Sequence, residues 1–241
     1  NQISEATGAT YAQGIRKFLL WSADHPEKWD RNAIRAWLID LKQEKYKPST
    51  IAAWFAGVRA FFSWLVSIGE INTNPTDGLK RARRPAAKTH AKETLSEEEA
   101  LNLLDSVENL RDRALLHLLA YTGARGCELL RANIEDISSC DDGILIYVQG
   151  KGRTDKNEIV LVANPEARQV FYSYLATMPA SGPLFCSASN RTAGARLSPS
   201  AMRAIVRAAL NRAGIKSKRK TTHSLRHTAI SNAVKNGASL E

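Results

Sequence analysis

The chain has 241 residues, 44% of them hydrophobic, and a formal net charge of +10 with a pI near 9.7. This composition excludes an intrinsically disordered chain, and the length is enough for one or two domains with their own cores. No apolar run approaches the roughly 20 residues that span a membrane, and no charged-then-apolar leader is present, so we expect no membrane segment. Three cysteines, Cys127, Cys140 and Cys186, fit neither a disulfide framework nor a metal site, which predicts reduced thiols in a cytoplasmic protein.

The positive charge is concentrated in the first part of the chain. Residues 1–92 hold 15 Lys+Arg against 8 Asp+Glu, a net of +7, whereas residues 93–241 hold 19 against 16, a net of +3. A basic surface attracts polyanions, so the clustering favours a nucleic acid as partner over a role in solubility alone.

Three helices are predicted at the start of the chain, from apolar residues that recur at helical spacing. The three patterns run from Tyr11 to Leu19, from Ile34 to Leu41 and from Ile51 to Leu65, and Pro48 provides a start for the third helix. Core or half-core packing, rather than base stacking, is the prediction for four tryptophans: Trp21, Trp37, Trp54 and Trp64.

Residues 72–92 are predicted to form a domain boundary. Asn74 precedes Pro75 and therefore avoids the helical region of the backbone. Six cations then fall within 13 residues without an acid between them: Lys80, Arg81, Arg83, Arg84, Lys88 and Lys92. Such a segment is either a solvated tether or a strap along a phosphate backbone, and the lack of acids favours the strap.

The second part of the chain is predicted to be mostly helical with a small antiparallel sheet. Ser96 and Glu99 have the spacing of a capping box, and another helix ends before Gly123. Two short apolar runs, 144–148 and 159–162, flank a polar segment and predict a hairpin. Two further helices are expected to start at Asn164-Pro165 and Ser198-Pro199, where a capping side chain precedes proline.

Four cations in distinct local contexts form the candidate site: Arg125, Lys151, His223 and Arg226. Arg125 follows the glycine break between two helices, and Lys151 lies between two glycines at the predicted hairpin tip. His223 and Arg226 are spaced i,i+3 and so share one face of a helix. Each feature alone is weak, because turns, helix faces and surface arginines are common. Their order and context together predict one site.

A phosphodiester suits these side chains chemically. Arg125 and Arg226 can clamp its non-bridging oxygens with planar, permanently charged forks. His223 can donate to the phosphate or accept a proton, and Lys151 can protonate a leaving oxygen. We expect Glu128 to anchor Arg125 or to cap a helix, and His227 to pack within the protein.

The stretches 122–129, 148–153 and 222–227, together with Asn72-Thr73-Asn74-Pro75, resemble the tyrosine recombinases of the phage-integrase family, in the style of the Xer-like group. The resemblance covers the whole chain and implies a helical core-binding domain (1–78), a basic linker (79–92) and an integrase-type catalytic domain (93–241). It implies site-specific cleavage and rejoining of double-stranded DNA through a 3′-phosphotyrosine and a Holliday junction, without metal or nucleotide. It also implies a homotetramer on DNA and a cytoplasmic, nucleoid-associated location.

The resemblance assigns Arg125, Lys151, His223 and Arg226 to catalysis. Contacts to DNA are expected from a further set: Lys80, Arg81, Arg83, Arg84, Lys88 and Arg153. Family members carry a second His or Trp after the His-x-x-Arg box and then the nucleophilic tyrosine, and residues 228–241 contain none of these. We therefore expect the nucleophile to follow residue 241, and residues 1–241 alone to be inactive in cleavage. The alternatives are a non-catalytic DNA-binding protein of this fold and a type IB topoisomerase-like enzyme.

Overall fold

The computed structural model describes residues 5–25, 29–79, 93–150, 152–217 and 219–238. The predicted class, mainly α with a small antiparallel sheet, is confirmed. The chain divides into two compact units, Asn1–Thr89 and His90–Glu241.

The first unit contains the three predicted helices, α1 (Glu5–Asp24), α2 (Arg31–Gln43) and α3 (Pro48–Ser67). Asp30 caps α2, because its carboxylate accepts hydrogen bonds from two backbone N–H groups of the first turn. Pro48 occupies the first turn of α3, where its fixed φ suits a helix and its missing N–H leaves no donor unsatisfied.

An aromatic core holds the first unit together. Phe18 is fully buried, and its ring meets Trp37 and Phe62 edge-on at centroid distances of 5.4 and 5.6 Å. Such pairs contribute about 0.5–1.5 kcal/mol each beyond burial. Helices α1 and α3 approach closely at Gly14 and Gly57, where a Cβ would lie within 2.7 Å of the facing backbone. The small residues therefore allow the large ones to interlock.

The prediction that all four tryptophans are core or half-core residues is wrong for one of them. Trp37 and Trp54 are buried and Trp21 is half-buried, but Trp64 is 54% exposed. Trp64 lies near the end of α3, where its ring contacts Phe61 at a centroid distance of 6.2 Å. Its spacing predicts a position beside the apolar stripe of α3, but near the end of the helix more than half of the side chain is in contact with solvent.

Helix α3 is long and apolar enough, by length and composition, to cross a membrane, contrary to the expectation that no such segment exists. Arg59 interrupts the apolar run, but the mean hydropathy of the helix remains typical of a segment that could span a membrane. Ile51, Phe55 and Val58 are nonetheless buried in the first unit. The Arg59 guanidinium donates to the Leu79 carbonyl at 2.7 Å and so ties the following segment to α3. These contacts are those of a core helix in a globular unit.

The second unit surrounds a three-stranded sheet with six helices among its described residues. In chain order the elements are α4 (Glu97–Asp105), α5 (Leu110–Thr122), α6 (Gly126–Arg131), β1 (Ile137–Cys140), β2 (Gly143–Val148), β3 (Glu158–Val162), α7 (Pro165–Leu175), α8 (Pro199–Arg212) and α9 (Thr222–Lys235). The predicted capping side chains are confirmed: Ser96, Asn164 and Ser198 each accept a backbone N–H.

Helix α5 forms the centre of this unit and packs against α7 and α9. Its residues 114–119 are all fully buried, including His117. Neither ring nitrogen of His117 has a hydrogen-bond partner among the described residues, and burial lowers the pKa of this imidazole, so it is neutral. Because α5 is buried on every side, it holds the segment that follows Thr122 in a fixed position.

The sheet is antiparallel with the order β1-β2-β3. The predicted hairpin is confirmed: Ile146 pairs with Val160 on the core side, and Tyr147 pairs with Ile159 on the exposed side. Strand β1 was not predicted, because Ile137-Ser138-Ser139-Cys140 lacks a marked alternation and gains its order from pairing with β2.

Candidate active site

Arg125 is held at the junction of two helices. Helix α5 ends at Gly123, which has φ = +65°, a left-handed conformation that favours glycine. Arg125 is the N-cap of α6: its backbone N–H donates to Glu128 Oε2 at 2.7 Å, and its Nη1 donates to Glu128 Oε1 at 2.6 Å. Glu128 thus both anchors Arg125 and caps α6, and the two roles proposed for it are both observed.

The burial of this pair is unequal, and the inequality decides what Arg125 can do. The Glu128 side chain is 4% exposed, whereas the Arg125 side chain is 40% exposed. The Glu128 carboxylate raises the pKa of Arg125, so the guanidinium is always charged. Glu128 therefore holds Arg125 through Nη1, while the exposed part of the guanidinium can still bind a second anion.

Arg226 reaches the same junction from helix α9. Its Nη1 donates to the backbone carbonyl of Gly123, a residue 103 positions earlier in the chain. The first turns of α9 and α6 are also adjacent, since a Cβ on Gly126 would lie 3.4 Å from Thr222 Cγ2. The structure thus brings the segments of Arg125 and Arg226 together.

His223 lies in the first turn of α9, one turn before Arg226, and its side chain is exposed. The turn is fixed by Thr221 and Ser224, because the backbone N–H of Thr221 donates to Ser224 Oγ at 3.1 Å and Ser224 is fully buried. His227 is half-buried, in agreement with a packing role. The predicted i,i+3 pair is therefore on one helix whose start is anchored in the protein.

The β2–β3 hairpin approaches Arg125 through an acid that sequence reasoning missed. Glu158 Oε2 lies 4.0 Å from Arg125 Nη1, and Glu158 Oε1 lies 3.6 Å from Arg153 Nε. A Cβ on Gly150 would overlap the Glu158 carboxylate, so that carboxylate lies directly against the hairpin backbone. Lys151 lies outside the described residues, but its neighbour Gly150 is thereby connected to the Arg125 side of the unit.

The predicted linker cations Lys80, Arg81, Arg83, Arg84 and Lys88 lie outside the described residues. Among the described residues, no group of three or more His, Cys, Asp or Glu side chains is arranged to hold a metal ion. The predicted cations that the structure describes, Arg125, Arg153, His223 and Arg226, all belong to the second unit.

Two of the four tyrosines of the second unit, Tyr121 and Tyr174, make hydrogen bonds within the protein. Tyr174 is buried, its hydroxyl donates to the Leu184 carbonyl at 2.8 Å, and burial raises its pKa to about 12. Tyr121 donates to Glu166 at 3.3 Å, and burial raises its pKa as well. A phenol with a raised pKa is a poor nucleophile, which agrees with packing roles for these two side chains.

The loop before α9 is held by an ion pair between Lys220 and Glu99, which the sequence did not predict. Lys220 Nζ lies 2.5 and 2.6 Å from the two carboxylate oxygens of Glu99, and its side chain is only 12% exposed. Glu99 was recognised from the capping box alone. Its position in the first turn of α4 gave no signal that it also binds a lysine 121 residues away.

Comparison with known proteins identifies both units. Residues 93–241 match the model of the phage integrase family, and residues 1–69 match that of the phage integrase N-terminal SAM-like domain. The tyrosine recombinase XerC of Syntrophus aciditrophicus (strain SB) is 29% identical over 265 residues, an alignment that covers 99% of this chain and 81% of that protein.

Two solved structures show the same fold. The XerH site-specific recombinase, bound to palindromic difH substrate in a post-cleavage complex, has a TM-score of 0.75 at 19% identity, covering 96% of this chain and 70% of that one. A lambda integrase tetramer bound to a Holliday junction has a TM-score of 0.70 at 16% identity, covering 99% and 70%. Together with the family matches, these findings show that the chain belongs to the phage integrase family and is a Xer-like tyrosine recombinase.

Proposed function

We propose that this site-specific DNA recombinase binds the phosphodiester to be cleaved between Arg125 and Arg226. The observation that carries the proposal is the contact of Arg226 with the Gly123 carbonyl, two residues before Arg125. Two guanidinium groups at one junction suit a transition state that spreads negative charge over non-bridging oxygens. Glu128 neutralises one side of Arg125 but leaves its exposed side for the substrate.

The other two cations have proton-transfer roles in this proposal. His223 donates to the phosphate, or accepts the proton of the attacking tyrosine hydroxyl, from the helix face that also carries Arg226. The tyrosine oxygen forms a bond to phosphorus, and the bond from phosphorus to the 5′-oxygen breaks. Lys151 supplies the proton that this leaving oxygen needs, which restores a neutral hydroxyl on the departing strand.

Duplex DNA is the partner, and we propose that the first unit and the basic linker bind it. The linker cations Lys80, Arg81, Arg83, Arg84 and Lys88 would act as a strap on phosphates, with Arg153 adding a contact beside the site. In this proposal residues 1–78 are the core-binding domain and 93–241 the catalytic domain. The lambda integrase tetramer on a Holliday junction supports, by analogy, assembly of four copies on DNA.

Recombinases of this kind act where the chromosome lies, in the cytoplasm, and we propose association with the nucleoid. The names of the relatives do not favour the two alternatives, a non-catalytic DNA-binding protein and a type IB topoisomerase-like enzyme.

The strap is tested by neutralising Lys80, Arg81, Arg83 and Arg84 together and measuring duplex affinity over a range of salt concentrations. If about three of them contact phosphates, the slope of log K against log salt should flatten by about 2.7. The loss should be similar for unrelated duplexes, since phosphate contacts carry no sequence information.

A matched control neutralises four cations of the second unit that lie outside α6 and outside the first turn of α9: Arg168 in α7, Arg191, Arg212 at the end of α8 and Lys235 at the end of α9. The control variant and the linker variant therefore have the same net charge. An equal flattening in both variants would show that the linker is a solvated tether.

A further inference from the structure

Glu158 places a negative charge beside the arginines that are proposed to bind phosphate, where it would repel the phosphate. It is the first residue of β3, and its carboxylate lies between two arginines, 4.0 Å from Arg125 Nη1 and 3.6 Å from Arg153 Nε. Its side chain is 39% exposed, so water reaches the charge. Arg125 already has a buried partner in Glu128, and Glu158 is therefore a second acid on the same guanidinium.

An anion that binds the Arg125 guanidinium comes close to the Glu158 carboxylate, which lies 4.0 Å from Arg125 Nη1. Neither of its two ion pairs is close enough for a hydrogen bond of normal length, in contrast to the 2.6 Å contact of Glu128 with Arg125. Half-exposed pairs of this kind are weak, because water screens them and ordering the side chains costs entropy. A phosphate oxygen, by contrast, can receive two hydrogen bonds at once from a guanidinium.

We propose that Glu158 competes with the DNA phosphate for Arg125 and Arg153, so that binding of DNA must displace its carboxylate from between them. The inference rests on the proposed function of the arginine junction. Its consequence is selectivity: a small anion such as free phosphate gains too little from two arginines to displace the acid, whereas a duplex adds contacts along its backbone. Glu158 thus makes occupation of the site depend on a polyanion.

The two acids on Arg125 differ in the way that this proposal requires. Glu128 is buried and bonds the backbone as well as the side chain, so removing it disturbs the fold. Glu158 approaches Arg125 with a half-exposed side chain, beside the nitrogen that Glu128 already holds, so replacing it with glutamine leaves the hydrogen bonds that fix α6 in place. Its backbone pairing with Val148 is independent of the side chain.

The experiment compares Glu158→Gln with a matched control, Glu98→Gln, in binding of a fluorescently labelled duplex by the 241-residue chain. Both variants raise the net charge by one and keep a side chain of the same shape. Glu98 is exposed in the first turn of α4. We expect Glu158→Gln to tighten binding by about 3- to 10-fold at low salt, and Glu98→Gln by less than about 2-fold. The gain of Glu158→Gln should shrink as salt is raised, because ions screen the same interaction.

Thermal unfolding checks the fold, and Glu158→Thr provides a second neutral variant that suits the start of a strand. Equal gains in Glu158→Gln and Glu98→Gln would overturn the inference, since only net charge would then matter. Weaker binding by folded Glu158→Gln and Glu158→Thr would also overturn it, since Glu158 would then anchor the hairpin. If the parent chain bound no duplex at all, the proposed function would fail instead.

Discussion

Two arginine–glutamate contacts in the second unit use the same residue types with different results. Arg125 and Glu128 meet at 2.6 Å with the acid 4% exposed, whereas Arg153 and Glu158 meet at 3.6 Å with side chains 57% and 39% exposed. A buried acid that also caps a helix fixes its arginine in place. An exposed acid leaves its arginine free to exchange partners. Burial of the acid therefore separates the part of the site that is built into the fold from the part that DNA can rearrange.

The arginine junction, where Arg226 bonds the Gly123 carbonyl beside the fixed Arg125, should show the largest effect. We expect Arg226→Ala to slow DNA cleavage by about 10²–10³-fold in a form of the protein that supplies the nucleophilic tyrosine, the loss typical of one preorganised charge-stabilising donor. Arg226→Lys should recover only part of the rate, because an ammonium cannot present a planar fork. The rate of covalent adduct formation on a nicked suicide duplex measures this.

Arg153→Ala, on the exchangeable half, is the matched control and should slow cleavage much less. Equal losses in Arg226→Ala and Arg153→Ala would remove the distinction between the two halves.

The next largest effect should be on stability, where substitution of Glu128 should cost more than substitution of Glu158. Glu128→Gln keeps a side chain that can cap α6 but removes the charge beside Arg125, and we expect it to lower the free energy of unfolding by about 2 kcal/mol. Glu158→Gln, whose pair is half-exposed, should change it by less than about 0.5 kcal/mol. Urea denaturation of the 241-residue chain gives both values. A loss in Glu158→Gln as large as that in Glu128→Gln would contradict the account.

The pair of Glu99 and Lys220 lies between these extremes, with side chains 33% and 12% exposed. The hydrogen bond from Lys220 lowers the pKa of Glu99 from its ordinary value of 4.5. The pair therefore contributes stability that is fully present above pH 4.5 and is lost as the pH falls through the pKa of the folded state.

We expect Glu99→Gln to cost about 1 kcal/mol at pH 7, since glutamine can still serve the capping box. The difference from the parent chain should narrow as the pH falls below 4.5, measured by urea denaturation at each pH. A cost that persists unchanged at low pH would mean that shape, rather than charge, makes the contact.

The helices and the hairpin could be predicted from sequence because their signals are local. Ser96, Asn164 and Ser198 bond backbone groups within three residues of themselves, and the alternation of β2 and β3 is visible in a short window. Trp64 was misplaced because exposure depends on the width of a core that three helices build together.

The site was predictable in part for the same reason. Arg125 and Arg226 were recognisable from their neighbours, but their meeting at Gly123 joins positions 103 residues apart. Glu158 and Lys220 gave no local signal at all, because each acquires its role from a partner on another element. Long-range ion pairs of this kind follow from the fold and cannot be read before it is known.

The central claim, that Arg226 stabilises negative charge on the phosphate bound beside Arg125, is tested most directly with a modified substrate. A suicide duplex with a neutral methylphosphonate at the cleavage position lacks the charged non-bridging oxygen that the arginines are proposed to bind. On ordinary DNA, in a form of the protein that supplies the nucleophilic tyrosine, the parent should cleave about 10²–10³-fold faster than Arg226→Ala, and on the methylphosphonate duplex this ratio of rates should fall below about 10-fold. A ratio that stays the same on both substrates would show that Arg226 supports the fold of the junction and does not act on the charge of the phosphate.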